Sequence, residues 1–213
     1  MRFEKGSKLV TDLVLNAICG VLLVFITATV VICIFQCADR SIARAYFVVC
    51  GCVFGWLFSV ILYRITEEET LALFFDNLAV VFIAFLPVTL LVMVVFFYKQ
   101  GHYITKKLVI LLSAIPFCTF LVILIPSLTP LLRHGHIMRS MTPLHIADYT
   151  WGWWFYIHLT YSYLVTIASV VIVITQHRRQ PSGYALPSGL LVTSISLTIL
   201  GNVLHWSTPL KWI

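Results

Sequence analysis

Apolar residues in this chain come in long unbroken runs. They show neither the alternation of a half-buried strand nor the single stripe of a surface helix. Runs of about 18 or more apolar residues read as membrane-spanning helices, because about 20 residues at about 1.5 Å rise cross a hydrocarbon core about 30 Å thick. Helix is the default there, since a lipid-exposed span has to satisfy its own backbone hydrogen bonds. The pattern predicts six spans: about Asp12 to Gln36, Ile42 to Tyr63, Phe75 to Tyr98, Leu108 to Leu128, Trp151 to Thr175 and Leu186 to Trp206. The expected fold is all-α, a polytopic membrane helix bundle of six transmembrane helices, with residues 1–213 forming a single sensor-like domain.

Proline interrupts the third span at Pro87 and the fourth at Pro116 and Pro126. Prolines are tolerated in such helices where neighbouring helices or waters satisfy the carbonyls they free. The first run is too long for a signal-peptide core and is read as a retained helix. The connections are short except for "TPLLRHGHIMRSMTPLHIADYT" between the fourth and fifth spans. The sequence has no internal repeat, phosphate loop, kinase motif or nucleotide fingerprint.

Composition supports the same class. Hydrophobic residues make up 61% of the chain and charged residues 10%, against about 45–50% and about 25% in soluble domains. Charge does not fix the orientation. With six spans, both termini and the 2–3 and 4–5 connections share one face, side A; the other three connections share side B. Side A carries Arg2, Lys5, Lys8, Arg64, Arg133, Arg139 and Lys211; side B carries Arg40, Arg44, Lys99, Lys106, Lys107, Arg178 and Arg179. Positive-inside counting therefore ties. The compact basic connections "KQGHYITKK" and "QHRRQ" favour side B as cytoplasmic. The net charge of +6 then suits contact with anionic lipid, and no nucleic-acid partner is expected. The six cysteines carry no redox or metal signal and read as small apolar residues.

Polar residues inside spans are costly in lipid, which makes each a candidate for function. In the fifth span Trp151, Trp154, His158, Tyr161 and Ser162 fall within an arc of about 100° at about 3.6 residues per turn. In the sixth, Ser194, Thr198 and Asn202 recur every fourth residue, with His205 beside them. Asp12 and Asn16 lie one turn apart in the first span, and Asp76 and Asn77 at the start of the third. Asp12, Asn16, Asp76, Asn77, His158, Tyr161, Asn202 and His205 belong to the side A ends of their spans, so a pocket open to side A is expected. Its candidate ligand-binding residues are Trp154, His158, Tyr161, Asn202, His205, Asn16 and Asn77. His158 and Asn202 are expected to face the bundle at matching depth, with Tyr161 nearby. Trp151, Trp153 and Tyr156 read as interfacial anchors, and Ser194, Thr198 and Gly201 as helix-packing positions.

The stretch "WGWWFYIHLTYSYLVTIASVVIVI" carries a resemblance: an aromatic-rich start, then His158, then Tyr161, Ser162 and Tyr163. It resembles the fifth helix of the seven-helix N-terminal region of bacterial histidine kinases. "FDNLAVVFIAFLPVTLLVMVVFFYKQ", "LLSAIPFCTFLVILIPSL" and "RRQPSGYALPSGLLVTSISLTILGNVLHW" resemble the third, fourth and sixth helices, in order. The resemblance implies a non-enzymatic sensor with an external N-terminus, without a cofactor of its own. It implies an unknown small-molecule or lipid signal and a cytoplasmic kinase or cyclase output domain missing from this chain; a homodimer stays open. The family's seventh helix is not in the sequence, so a fragment and a stand-alone protein are both expected alternatives.

A second reading from a different class is a metal- or haem-binding membrane protein. His158 and His205 lie on different spans at similar depth. His134, His136, His145 and Asp148 in the 4–5 connection are residue types that bind zinc, although their spacing fits no strict motif. A transporter reading lacks the internal symmetry and paired broken helices that would support it.

Overall fold

The computed structural model describes residues 40–98, 100–141 and 144–179 with positions 20, 21 and 24, and between residues 136 and 149 it describes the backbone alone. Among these residues four helices are long and apolar enough to cross a membrane: α1 (Arg40–Ile65), α2 (Glu69–Phe97), α3 (Lys106–Leu124) and α4 (Trp153–His177). They correspond to the second through fifth spans of the sequence pattern. The expected first and sixth spans lie outside the described residues, apart from the helical positions 20, 21 and 24.

Short connections make consecutive helices antiparallel. Residues 66–68 join α1 to α2, and a 3₁₀ turn, Gly101–Tyr103, lies between α2 and α3. Thr105 caps α3 by accepting the Leu108 N–H at 3.2 Å. Helix α2 is central, packing against α1, α3 and α4. At the side B end a core cluster joins Ala45 of α1, Met93 and Val94 of α2, Tyr98 and Val173 of α4. Further toward side A, small residues set close approach. Ala72, Ala79 and Ala84 of α2 are buried, as are Ser59 of α1 and Ser169 of α4. Ser59 and Ser169 donate to carbonyls one turn back, at 2.7 and 3.0 Å. Such back-bonding lets a hydroxyl lie between helices without an unpaired proton.

Three boundaries differ from the sequence pattern. Helix α2 starts at Glu69. Asp76 and Asn77 therefore lie two turns inside it rather than at its start. The acidic residues Glu67 to Glu69 do not oppose the helix, because they are exposed and lie just before it, at its N-cap and in its first turn, where negative charge suits the helix dipole. Helix α3 ends at Leu124, so Pro126 lies in the turn beyond it and only Pro116 interrupts it. Helix α4 starts at Trp153, so Trp151 belongs to the preceding strand.

The described residues of the long connection form secondary structure that the sequence pattern did not indicate. One helical turn, Thr129–Leu132, leads into strand β1 (Arg133–Met141), which pairs antiparallel with β2 (Leu144–Trp151). The register slips between His134 and Ile137, where Gly135 has φ 69°. That left-handed backbone is nearly free of cost only for glycine, and it places a bulge near the hairpin's base. The base closes on Gly152, whose N–H donates to the Leu132 carbonyl at 2.8 Å. A Cβ on Gly152 would lie 2.1 Å from the Leu131 carbonyl oxygen, so any side chain would push the hairpin off α4.

Candidate functional site

Two polar clusters form in the side A half. The first joins α3 to α4. Thr119 is five residues before the end of α3 and His158 five residues after the start of α4. Both are therefore about 7–8 Å from their helix ends at about 1.5 Å per residue. Thr119 is fully buried and His158 is 9% exposed. Thr119 Oγ1 lies 3.0 Å from His158 Nδ1, accepts the Trp154 indole N–H at 3.0 Å, and lies 3.0 Å from the Ile115 carbonyl oxygen. Ser162 Oγ lies 3.2 Å from His158 Nε2.

One proton assignment satisfies every group. The Thr119 hydroxyl donates to Ile115. Its two lone pairs accept Trp154 N–H and His158 Nδ1–H. Ser162 then donates to His158 Nε2. This is the complement of a neutral imidazole, one N–H and one lone pair. Helical spacing produces it: Trp154, His158 and Ser162 are four apart and share one face of α4.

Tyr161 adds a second tie between the same helices. Its hydroxyl donates to the carbonyl of Leu112. In an unbroken helix that carbonyl accepts from residue 116. Residue 116 is proline and has no N–H. Tyr161 thus fills a vacancy that the α3 sequence itself creates.

The second cluster anchors the hairpin. Arg133, the first residue of β1, donates to Asp76 Oδ2 and to Asn77 Oδ1 of α2. The arginine side chain is 4% exposed and the aspartate 16%, so the pair is largely withdrawn from solvent. A charge this buried is tolerated only when paired and hydrogen-bonded, and the two adjacent acceptors fit the planar guanidinium.

The candidate residues therefore divide. Trp154, His158 and Tyr161 all bond to α3. Asn77 joins Arg133 and Asp76. Asn16, Asn202 and His205 lie outside the described residues, so the expected pairing of His158 with Asn202 and the common depth of His158 and His205 do too. Trp153 and Tyr156 are each 57% exposed, while Trp151 stacks on Phe155 with centroids 3.9 Å apart.

The sequence reading missed Thr119 and Arg133. Pro116 was a usable signal for a donor from a neighbouring helix, and Thr119 lies on the following turn. Arg133 was legible only as a loop charge.

The metal reading gains no support from this geometry. His134 is exposed, with Nδ1 3.4 Å from the Pro130 carbonyl oxygen. His145 pairs with Ser140 in the hairpin, six positions along β1 from His134. That separation is about 20 Å at about 3.3 Å per residue. His136 and His145 lie where the backbone alone is described. Among the described residues no three metal-ligating side chains gather. Both ring nitrogens of His158 are already engaged by protein hydroxyls, which leaves none for a haem iron.

Fold and site define a class: a multi-pass helical membrane protein whose side A polar groups bond helix to helix. The chain belongs to the family described as the N-terminal 7TM region of histidine kinase, which it matches over residues 20–212. This region is the non-catalytic input part of such kinases. No curated protein and no solved structure matches the chain.

Proposed function

We propose that the chain is a membrane sensor module in which a signal arriving at side A changes the contact between α3 and α4. The observation that carries this reading is the Trp154–Thr119–His158–Ser162 network, in a chain of this family. A ligand with hydrogen-bonding groups could exchange for Thr119 at His158 or Trp154 and so release one helix from the other. Such a ligand shifts the equilibrium only by its difference in affinity for the two arrangements. The Asp76–Asn77–Arg133 cluster lies in the same half and ties the hairpin to α2, so a signal acting on the hairpin would reach the central helix. Asn16, Asn202 and His205 are proposed to complete the site from the remaining spans.

In this reading residues 1–213 act as one domain, the N-terminus is extracytoplasmic, side B is cytoplasmic, and the chain itself catalyses nothing. Its output partner is a cytoplasmic kinase or cyclase domain.

The test joins the chain to a histidine-kinase domain through an added transmembrane helix, which carries the polypeptide from side A back to side B, and measures autophosphorylation in liposomes. Thr119→Val and His158→Ala are expected to change basal output by about 5-fold or more, the lower end of ordinary allosteric coupling. Unchanged output from folded variants would overturn the reading.

A further inference from the structure

The side B half holds a feature of different chemistry. A cavity of about 330 Å³ opens between α1, α2 and α3, lined among others by Arg44, Val48, Phe85, Val88, Phe96 and Val109. Its walls are almost wholly apolar. On α2 it runs from Phe96, next to the helix end, back to Phe85. Those eleven steps along the helix span about 16 Å at about 1.5 Å each. That is about half of a hydrocarbon core about 30 Å thick. Along α2 the lining is therefore about as long as one leaflet is deep, and it follows the axis of a membrane-spanning helix.

Its mouth is cationic. Arg44 is exposed there, and Arg40 lies one turn toward the helix start on the same face of α1. On α3 the exposed Lys106 is three residues before Val109, so the two share a face, and Lys107 follows it. Long basic side chains at a helix end reach toward the headgroup level while their stems lie on apolar surface. A guanidinium also matches a phosphate's paired oxygens.

We propose that this groove holds one acyl chain of an anionic phospholipid of the side B leaflet, with the lipid phosphate on Arg44. Groove length selects an acyl chain, and Arg44, with Arg40 and Lys106 on the helix faces that adjoin the mouth, selects an anionic headgroup over a neutral one. The inference goes beyond the sensor reading and stands or falls independently of it, because it concerns the opposite leaflet and none of the network residues.

The experiment uses the full chain in detergent micelles with phosphatidylglycerol carrying a photoreactive diazirine near the end of one acyl chain. After irradiation, adducts are mapped by peptide mass spectrometry. The expected adducts fall on Phe85 or Val88, at the deep end of the groove. Their yield should drop at least about fivefold with Arg44→Gln, in proportion to the one lost charge-assisted contact, and similarly with an equal amount of the phosphatidylcholine probe. Val92→Trp, which fills the groove, should abolish them without altering the elution volume on gel filtration. Equal yields from the two lipids, or a yield indifferent to Arg44→Gln, would overturn the proposal. So would wild-type adducts confined to other surfaces, the result expected if another helix or a second copy of the chain fills the groove.

Discussion

Proline at position 116 deprives the Leu112 carbonyl of its helical donor, and the Tyr161 hydroxyl supplies one from the neighbouring helix. The two residues should therefore be energetically coupled. Tyr161→Phe is expected to cost about 1 kcal/mol in the wild-type background, the ordinary net worth of a hydrogen bond. In a Pro116→Ala background the carbonyl regains its own donor, and the same change should cost close to nothing. Reversible unfolding in mixed micelles measures this double-mutant cycle; equal costs in both backgrounds would refute the coupling. Thr119 gives a second prediction at this scale. Thr119→Val removes the acceptor of both Trp154 and His158, and should destabilise by about 1–2 kcal/mol, given about 0.6 kcal/mol for an average intramembrane hydrogen bond and more for groups left unpaired. Thr119→Ser keeps the hydroxyl and should retain most of that stability in the same assay. His158 and Tyr161 were legible in the sequence because a histidine and a tyrosine inside an apolar run stand out by cost alone. Thr119 was not, since a threonine in a membrane helix can bond its own backbone, as Thr166 and Thr175 of α4 do.

At the scale of elements, the hairpin is held to the helices at its base. Arg133 bonds Asp76 and Asn77 on α2, and Gly152 closes against Leu131 and Leu132. Removing one partner of a buried ion pair leaves the other charge uncompensated, so Arg133→Ala or Asp76→Ala should each cost about 3–5 kcal/mol. The paired change Arg133→Leu with Asp76→Leu removes both charges and should cost clearly less than either single change. Unfolding midpoints of the three variants decide it; an additive double variant would argue against the pairing. Helices were legible because hydrophobic run length is a local property. The hairpin was not. Its strands, "RHGHIMRSM" and "LHIADYTW", lack a clean alternation, and pairing depends on a bulge at Gly135 and a contact at Gly152. Nor does local sequence reveal that Arg133 would meet residues more than fifty positions earlier.

For the whole molecule, the two halves carry different chemistry. The side A half holds hydrogen-bonded polar clusters, and the side B half an apolar groove with a basic rim. The proposed orientation, with side B cytoplasmic, makes a direct prediction. A cysteine in place of His102, which is exposed on the side B connection, should react with a membrane-impermeant maleimide only when the cytoplasmic face is accessible. Labelling of intact cells at that position would reverse the orientation. A pocket was expected on side A from the distribution of polar residues. The polar residues described there are bonded to one another across α2, α3, α4 and the hairpin base. A cavity lies in the half that the sequence left without a polar cluster, and the pattern gave no sign of it, because a groove between helices depends on side-chain volumes and helix spacing rather than on polarity.

The sequence by itself determined the membrane class, four of the spans to within a few residues at most ends, and the face of α4 that bears Trp154, His158 and Ser162. It also carried the family, since the order of the resembling helices is written along the chain. These are properties of run length, period and order, which need no knowledge of what lies across the bundle. Tertiary structure alone decided the partners: Thr119 for His158, the Leu112 carbonyl for Tyr161, and Asp76 with Asn77 for Arg133. A periodic pattern states which way a side chain points along its own helix. What it meets there depends on the rotation, depth and spacing of a second element, and those are fixed only when the helices pack.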